Sequence, residues 1–263
     1  FFAQPAISTN QANLFSKWVL SLPPDKRPKA AAYISQDDPF AKPVVQAVQK
    51  QLSAGGIKTV YGLKLYPPDQ TSFDALVGGM KAAGADIVVQ GAVFDDAIGV
   101  IRQMKQVNYN PKVLFQTSAP SEGDQFAKGV GPGNTEGIFY AVSWSPKADT
   151  PQNKAFVAAY EKEFGAVPAT YAFQAYDAAL LIDSAVRQVQ GNVGNKDALR
   201  AAMMKADFKS LRGGFKFNSN HYPIQDFYLV KVAKRADGKF ETQIVKKVFE
   251  NYADPHAKDC AMK

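Results

Sequence analysis

Apolar and polar positions along this chain alternate in blocks. A polar Ser8-Thr9-Asn10-Gln11 cluster, suited to capping, precedes Leu14, Trp18, Val19 and Leu22 at helical spacing, and Pro23-Pro24 ends that helix. Residues 29–35 (KAAAYIS) then form a short apolar run, followed by Gln36-Asp37-Asp38-Pro39 and a helical pattern reaching about Ser53. Gly55-Gly56 closes that helix, and residues 57–65 predict the next strand. A helix ends at Ala83-Gly84, residues 86–91 (DIVVQG) read as a buried strand, 94–107 as a helix and 112–117 (KVLFQT) as a strand. Residues 136–144 (EGIFYAVSW) read as a last strand. Continuous apolar strands separated by amphipathic helices imply repeated βαβ units and a parallel sheet.

The texture changes after a proline-containing connector at 145–151. Helices are expected over 151–164, 171–190 and 196–205, then strands over 208–218, 226–235 and 240–248, the last two joined by an Asp237-Gly238 hairpin turn. Helices followed by strands suggest a second lobe unlike the first. The boundary falls near 142–149, giving a parallel α/β ligand-binding lobe at 1–144 and, at 145–263, the remainder of the other lobe with the hinge crossings and a C-terminal tail.

The 263 residues are 46% hydrophobic and 21% charged, the profile of a folded globular chain. No apolar run reaches the roughly 18 residues of a membrane span, and no basic segment with an apolar core opens the chain. The net charge of +7 raises nucleic acid as a partner, but the Lys and Arg residues are dispersed and no aromatic platform sits beside a basic stripe. Neither nucleic-acid binding nor membrane insertion is expected. The single cysteine, Cys260, is the fourth residue from the end, without metal-ligand or nucleophile company.

Catalysis requires a constellation, and none is legible. There is no G-x-S-x-G elbow, no P-loop and no G-x-G-x-x-G opening a helix after the first strand. Gly129-Val130-Gly131-Pro132-Gly133 follows a helix and reads as a connecting loop. His221 and His256, the only histidines, lack ligands at zinc spacing, so neither metal nor cofactor is expected. Asp95-Asp96 stands where a strand becomes a helix, a place where Asp caps the helix and suits its dipole. What remains is architectural: open parallel sheets bind ligands beyond the carboxyl ends of their strands. Those loops, 35–40, 91–96 and 116–122, carry Phe40 and Phe94, the hydroxyls of Thr117, Ser118 and Ser121, and helix amides suited to an anionic head.

Four segments together resemble the leucine/isoleucine/valine-binding family of type I periplasmic binding proteins. They are residues 29–35 with Asp37-Asp38-Pro39-Phe40, residues 83–89 followed by Gly91, Ala169-Thr170-Tyr171 with Ala175-Tyr176-Asp177-Ala178, and residues 208–217 with 225–229 (QDFYL). The resemblance implies an α/β fold of two Rossmann-like lobes joined by a three-stranded hinge, with a solute closed between them. It places Phe40 against the ligand, Ala92, Phe94 and Asp95 in or beside a second contact loop, Thr117, Ser118 and Ala119 in a third, and Tyr171 opposite. The amino-acid binders carry an acidic residue in the third loop, where this chain has Ser118-Ala119; Glu122 and Asp95 are the substitutes at hand. An unpaired buried ammonium is costly, so aromatic or aliphatic carboxylates and amides join branched-chain amino acids as expected ligands. The family also has an N-terminal segment that this sequence lacks. The first lobe is therefore expected to be incomplete, the helices of 151–205 to lack strands they would cover, and a disulfide partner of Cys260 to lie in that segment.

The implied activity is that of a periplasmic solute-binding protein that delivers a small organic molecule to the permease of an ABC importer, without covalent chemistry. A ligand-sensing regulator or receptor ectodomain of the same fold, and an α/β enzyme of unrecognised type, are the rival readings.

Overall fold

Each apolar run between Ala30 and Gln116 is a strand in the computed structural model of the protein, which describes residues 1–5, 8–135 and 137–260. After α1 (Ser8–Ser21) come β1 (Ala30–Gln36), α2 (Ala41–Ala54), β2 (Lys58–Tyr66), α3 (Asp74–Ala82), β3 (Ile87–Gly91), α4 (Asp95–Gln106), β4 (Val113–Gln116), α5 (Asp124–Val130) and β5 (Ile138–Val142). Then follow α6 (Pro151–Phe164), α7 (Thr170–Gln188), α8 (Lys196–Lys205), β6 (Lys216–Phe217), β7 (Pro223–Lys234) and β8 (Phe240–Tyr252). Two compact units result. One comprises residues 8–142 and 228–248; the other contains residues 1–5, 143–227 and 249–260.

In the first unit the strands run in the order β2-β1-β3-β4-β5, all parallel. Residues 228–231 of β7 then pair antiparallel with β5, and β8 pairs with β7. Because β1 leads to β2 on one side and the chain resumes on the other with β3, the strand order reverses between β1 and β3. Such a switch point opens a crevice at the carboxyl ends of the two strands.

The core explains why these strands read as unbroken apolar runs. Ala32 and Ile34 of β1, Val88 of β3, Leu114 of β4 and Ile138 of β5 pack with Val77 and Met80 of α3, Ile101 and Met104 of α4, and Phe126 of α5. The alternate residues are covered as well: Phe115 stacks on Phe15 of α1 with ring centroids 4.1 Å apart, and Trp18 lies 4.8 Å from the partly buried Phe139. A strand covered on both faces has no solvent side to mark with polar residues. At the edge, the register between β1 and β2 slips twice, around Ala32.

In the second unit, Trp144, Phe156, Phe173 and Leu211 form one cluster, and Leu181, Ala206 and Phe217 another. The expected strand over 208–218 is corrected here: only Lys216–Phe217 is strand, pairing with Pro223 and Ile224. Gly213 takes φ +87°, which breaks an extended run, and Ser210 meets Gly213 in an isolated bridge. Ser210 Oγ and the Leu211 N–H instead donate to the buried Asp177 carboxylate on α7, at 2.5 and 2.9 Å. The Asp237-Gly238 turn is present, with Gly238 at φ +87° and its N–H donated to the Arg235 carbonyl at 3.1 Å. Among the described residues no helix is long and apolar enough to cross a membrane.

Candidate functional site

Three loops leave the carboxyl ends of β1, β3 and β4, and each is held by side chains that the sequence places just beyond its strand. After β1, Asp38 Oδ1 accepts the Phe40 N–H at 2.7 Å and the Ala41 N–H at 2.9 Å. This fixes the first turn of α2 and leaves the Phe40 ring 41% exposed.

After β3, the turn Gly91-Ala92-Val93 leads to Phe94, which occupies the N-cap of α4 without a side-chain capping bond. The carboxylate pair does not cap from Asp95, which is exposed. Asp96, inside the first turn, reaches back instead: its Oδ1 accepts the N–H groups of Val93 and Ala97, both at 3.0 Å. Its Oδ2 accepts the Tyr66 hydroxyl at 2.7 Å. Burial pushes the Asp96 carboxyl above its ordinary value against the pull of those hydrogen bonds. Burial, and then the neighbouring Asp96 charge, push the Tyr66 phenol well above its own.

After β4, Thr117 is fully buried, and its Oγ1 both accepts the Ala92 N–H (3.0 Å) and donates to the Ala92 carbonyl (2.9 Å). Ser118 and Ala119 are buried too, Ala119 opening a 3-10 turn that ends at Glu122. Burial raises the Glu122 carboxyl, opposed by the Ser121 hydroxyl. Beneath the loops, Gln116 Nε2 donates to Gln90 Oε1 at 2.7 Å, and Gln90 Nε2 lies 3.3 Å from both Tyr66 Oη and the Asp96 carbonyl.

A cavity of about 470 Å³ opens at the ends of β1, β2 and β3, walled by Gln36, Thr71, Phe73, Val93, Phe94 and Asp95 among others. Its lining combines aromatic and aliphatic surface with amide, hydroxyl and carboxylate groups, a combination suited to a small amphipathic molecule. The Gln36 side chain is buried and its Oε1 has no hydrogen-bond partner among the described residues. Of the residues singled out in the sequence, Phe94 and Asp95 line the cavity. Phe40 is exposed on the neighbouring loop, and Ala92, Thr117, Ser118 and Ala119 are buried among the loops. Tyr171 belongs to the other unit, in the first turn of α7, and is 60% exposed.

Sequence reasoning held Gln36 only as part of the 35–40 loop, and passed over the 68–73 loop and Tyr66. All three belong to the ends of β1 and β2, so the strand-end rule already contained them. A larger hollow, about 680 Å³, lies in the other unit along α6 and α7, lined by Phe156, Tyr160, Phe164 and Tyr176. It holds none of the anticipated residues and no switch point, which places the candidate site in the unit of residues 8–142. No group of three or more His, Cys, Asp or Glu suited to a metal occurs among the described residues.

The description of periplasmic binding proteins as a family matches residues 6–239. Leu/Ile/Val-binding protein homolog 7 of Brucella abortus is 27% identical over 229 residues, covering 84% of this chain and 55% of that protein. The chain therefore spans about half the length of such curated relatives. Among solved structures, a solute-binding protein of an ABC transporter from R. palustris, in complex with benzoate, superposes with a TM-score of 0.86 at 23% identity, over 99% of this chain and 68% of that one. The leucine-, isoleucine-, valine-, threonine- and alanine-binding protein of Brucella ovis gives 0.81 at 18% identity, over 100% and 68%. Both likenesses establish the fold, an α/β chain of type I periplasmic-binding-protein architecture.

Proposed function

We propose that this chain, which belongs to the periplasmic binding protein family, is the solute-capturing component of an ABC importer. It takes up a small organic acid with an apolar body and binds it without changing it. The observation that carries this reading is the coincidence of the β1/β3 switch point with the 470 Å³ cavity that Phe94 and Asp95 line. Phe94 and the exposed Phe40 grip the apolar body, while the polar groups at the strand ends fix the head. Tyr171 enters the proposal on its motif alone. Binding without turnover is the chemistry this reading assigns to the cavity, in line with the binding proteins among its relatives.

Two solute classes share the carboxylate. Branched-chain amino acids are named in the relatives from Brucella, benzoate in the R. palustris structure. Ser118 and Ala119 stand where the amino-acid binders carry the third-loop acid, and this favours aromatic acids, since an unpaired ammonium is expensive to desolvate. A periplasmic location and a permease partner complete the reading. Isothermal titration of the two classes tests it: saturable heat with unaltered solute recovered afterwards is expected. Conversion of the solute, or no saturable heat with either class, would overturn it.

A further inference from the structure

The turn that carries Phe94 is held by side chains from three other places in the chain. The Gly91 carbonyl lies 3.0 Å from Tyr66 Oη. Ala92 gives its N–H to Thr117 and receives the Thr117 hydroxyl proton on its carbonyl. The Val93 N–H is taken by Asp96, whose other oxygen holds Tyr66. Three successive backbone polar groups, from the Ala92 N–H to the Val93 N–H, are thereby satisfied without water. Thr117 has spent its one proton and one lone pair on a single residue 25 positions away, and it is fully buried. Tyr66, 3% exposed, likewise does not line the cavity.

We infer that Thr117 and Tyr66 are positioning residues that keep the Gly91–Val93 turn rigid beneath Phe94, and that neither touches the solute. The inference rests on the proposed function for its consequence, but its physical content is the rigidity of the turn. A preorganised turn presents Phe94 in one place, so the solute bears none of the cost of ordering it. The family resemblance implied a contact role for Thr117, and its geometry assigns it this different one.

Amide hydrogen exchange, resolved by NMR on the whole 263-residue chain, tests the strap with no solute present. The Ala92 amide should exchange slowly in the wild type and roughly tenfold faster in Thr117→Val, which keeps shape and removes the hydroxyl. Thr117→Ser, which keeps the hydroxyl, should restore protection. Tyr66→Phe tests the other end through the Val93 amide, since it loosens the Asp96 carboxylate that accepts it. Unchanged exchange at Ala92 in Thr117→Val would overturn the inference. With benzoate as the probe, Thr117→Val should weaken binding about tenfold, and the same substitution should add little to Phe94→Ala, because it acts through that ring. An equal loss in both backgrounds would assign Thr117 a direct contact and sink the proposal. If wild type binds neither solute class while Ala92 still loses protection in Thr117→Val, the strap is supported and the solute-capturing reading is what fails.

Discussion

The Arg212 guanidinium lies 3.2 Å from the Asp177 carboxylate, and neither side chain is open to water. Burial pulls the guanidinium down to about 10, with Asp177 opposing the fall. The remaining donors are satisfied locally: Gln225 Oε1 at 2.6 Å, Gln4 Oε1 at 2.6 Å and the Gln4 carbonyl at 3.1 Å, with the Phe215 ring centroid 4.6 Å away. One buried cation thus gathers α7, the 210–212 segment, β7 and the N-terminal residues of its unit.

Removing one member leaves the other charged and dry. Arg212→Met is expected to cost about 3–5 kcal/mol in chemical denaturation. Arg212→Met combined with Asp177→Asn should cost less than the sum of the single changes, with a coupling on the order of 1–3 kcal/mol. Additive losses would show that the two groups do not act as a pair.

Asp96 predicts the opposite outcome. A carboxyl raised above its unfolded value of 3.8 contributes stability that is present below that value and lost as pH rises through the folded one. In Asp96→Asn the amide oxygen still accepts from Val93 and Ala97, and the amide nitrogen donates to Tyr66, whose proton turns from residue 96 to the Gly91 carbonyl 3.0 Å away. The variant is therefore expected to melt at or above the wild-type temperature at pH 7, an advantage that shrinks below about pH 4. Earlier melting than wild type at neutral pH would contradict this.

Alkaline behaviour follows from three buried phenols. Tyr33 is pushed up to about 12 by burial, and Tyr66 and Tyr109 are pushed up further by burial and by Asp96 and Asp86 respectively. Each contributes stability that is complete below the ordinary value of 10.0 and is lost as pH rises toward the folded value. Arg212, depressed instead of raised, works the other way over that window, one group against three. Midpoints of urea unfolding should hold steady from pH 8 to 9.5 and fall above about pH 10; a flat profile to pH 11 would refute it.

The solute classes separate at Asp95. If its exposed carboxylate on the cavity wall pairs with an ammonium, Asp95→Asn should weaken branched-chain amino acids by about tenfold, roughly the 1.4 kcal/mol of one charge-assisted contact. Aromatic acids, which present only a carboxylate, should bind the variant as well as or better than wild type. Calorimetric titration of leucine and benzoate against both proteins decides between them. Equal losses for both would remove Asp95 as the discriminating group.

The βαβ rhythm was legible because the inner strands of the parallel sheet are covered on both faces, as Phe115 against Phe15 and Leu114 against the α4 side illustrate. The same logic misled over residues 208–218. There Phe215 and Phe217 imitate alternation, but Gly213 and the demand of Asp177 for Ser210 and Leu211 outweigh it upstream. The return of residues 228–248 to the first sheet left no local trace, since pairing between β7 and β5 is set by partners some 90 positions apart. For the site, strand-end topology located the loops. It could not show that Thr117 is occupied by Ala92, because a hydroxyl that grips a backbone and one that grips a solute look alike in a sequence.

The slipped register beside Ala32 acts beyond the sheet interior. It falls next to β2, the outermost parallel strand, which also carries exposed Lys58 and Lys64. An irregular, lysine-studded border is a poor template for a stray chain seeking backbone partners. Leu65, 41% exposed on the same strand, would otherwise invite such pairing. The broken register and the two ammonium groups disfavour such pairing along this rim.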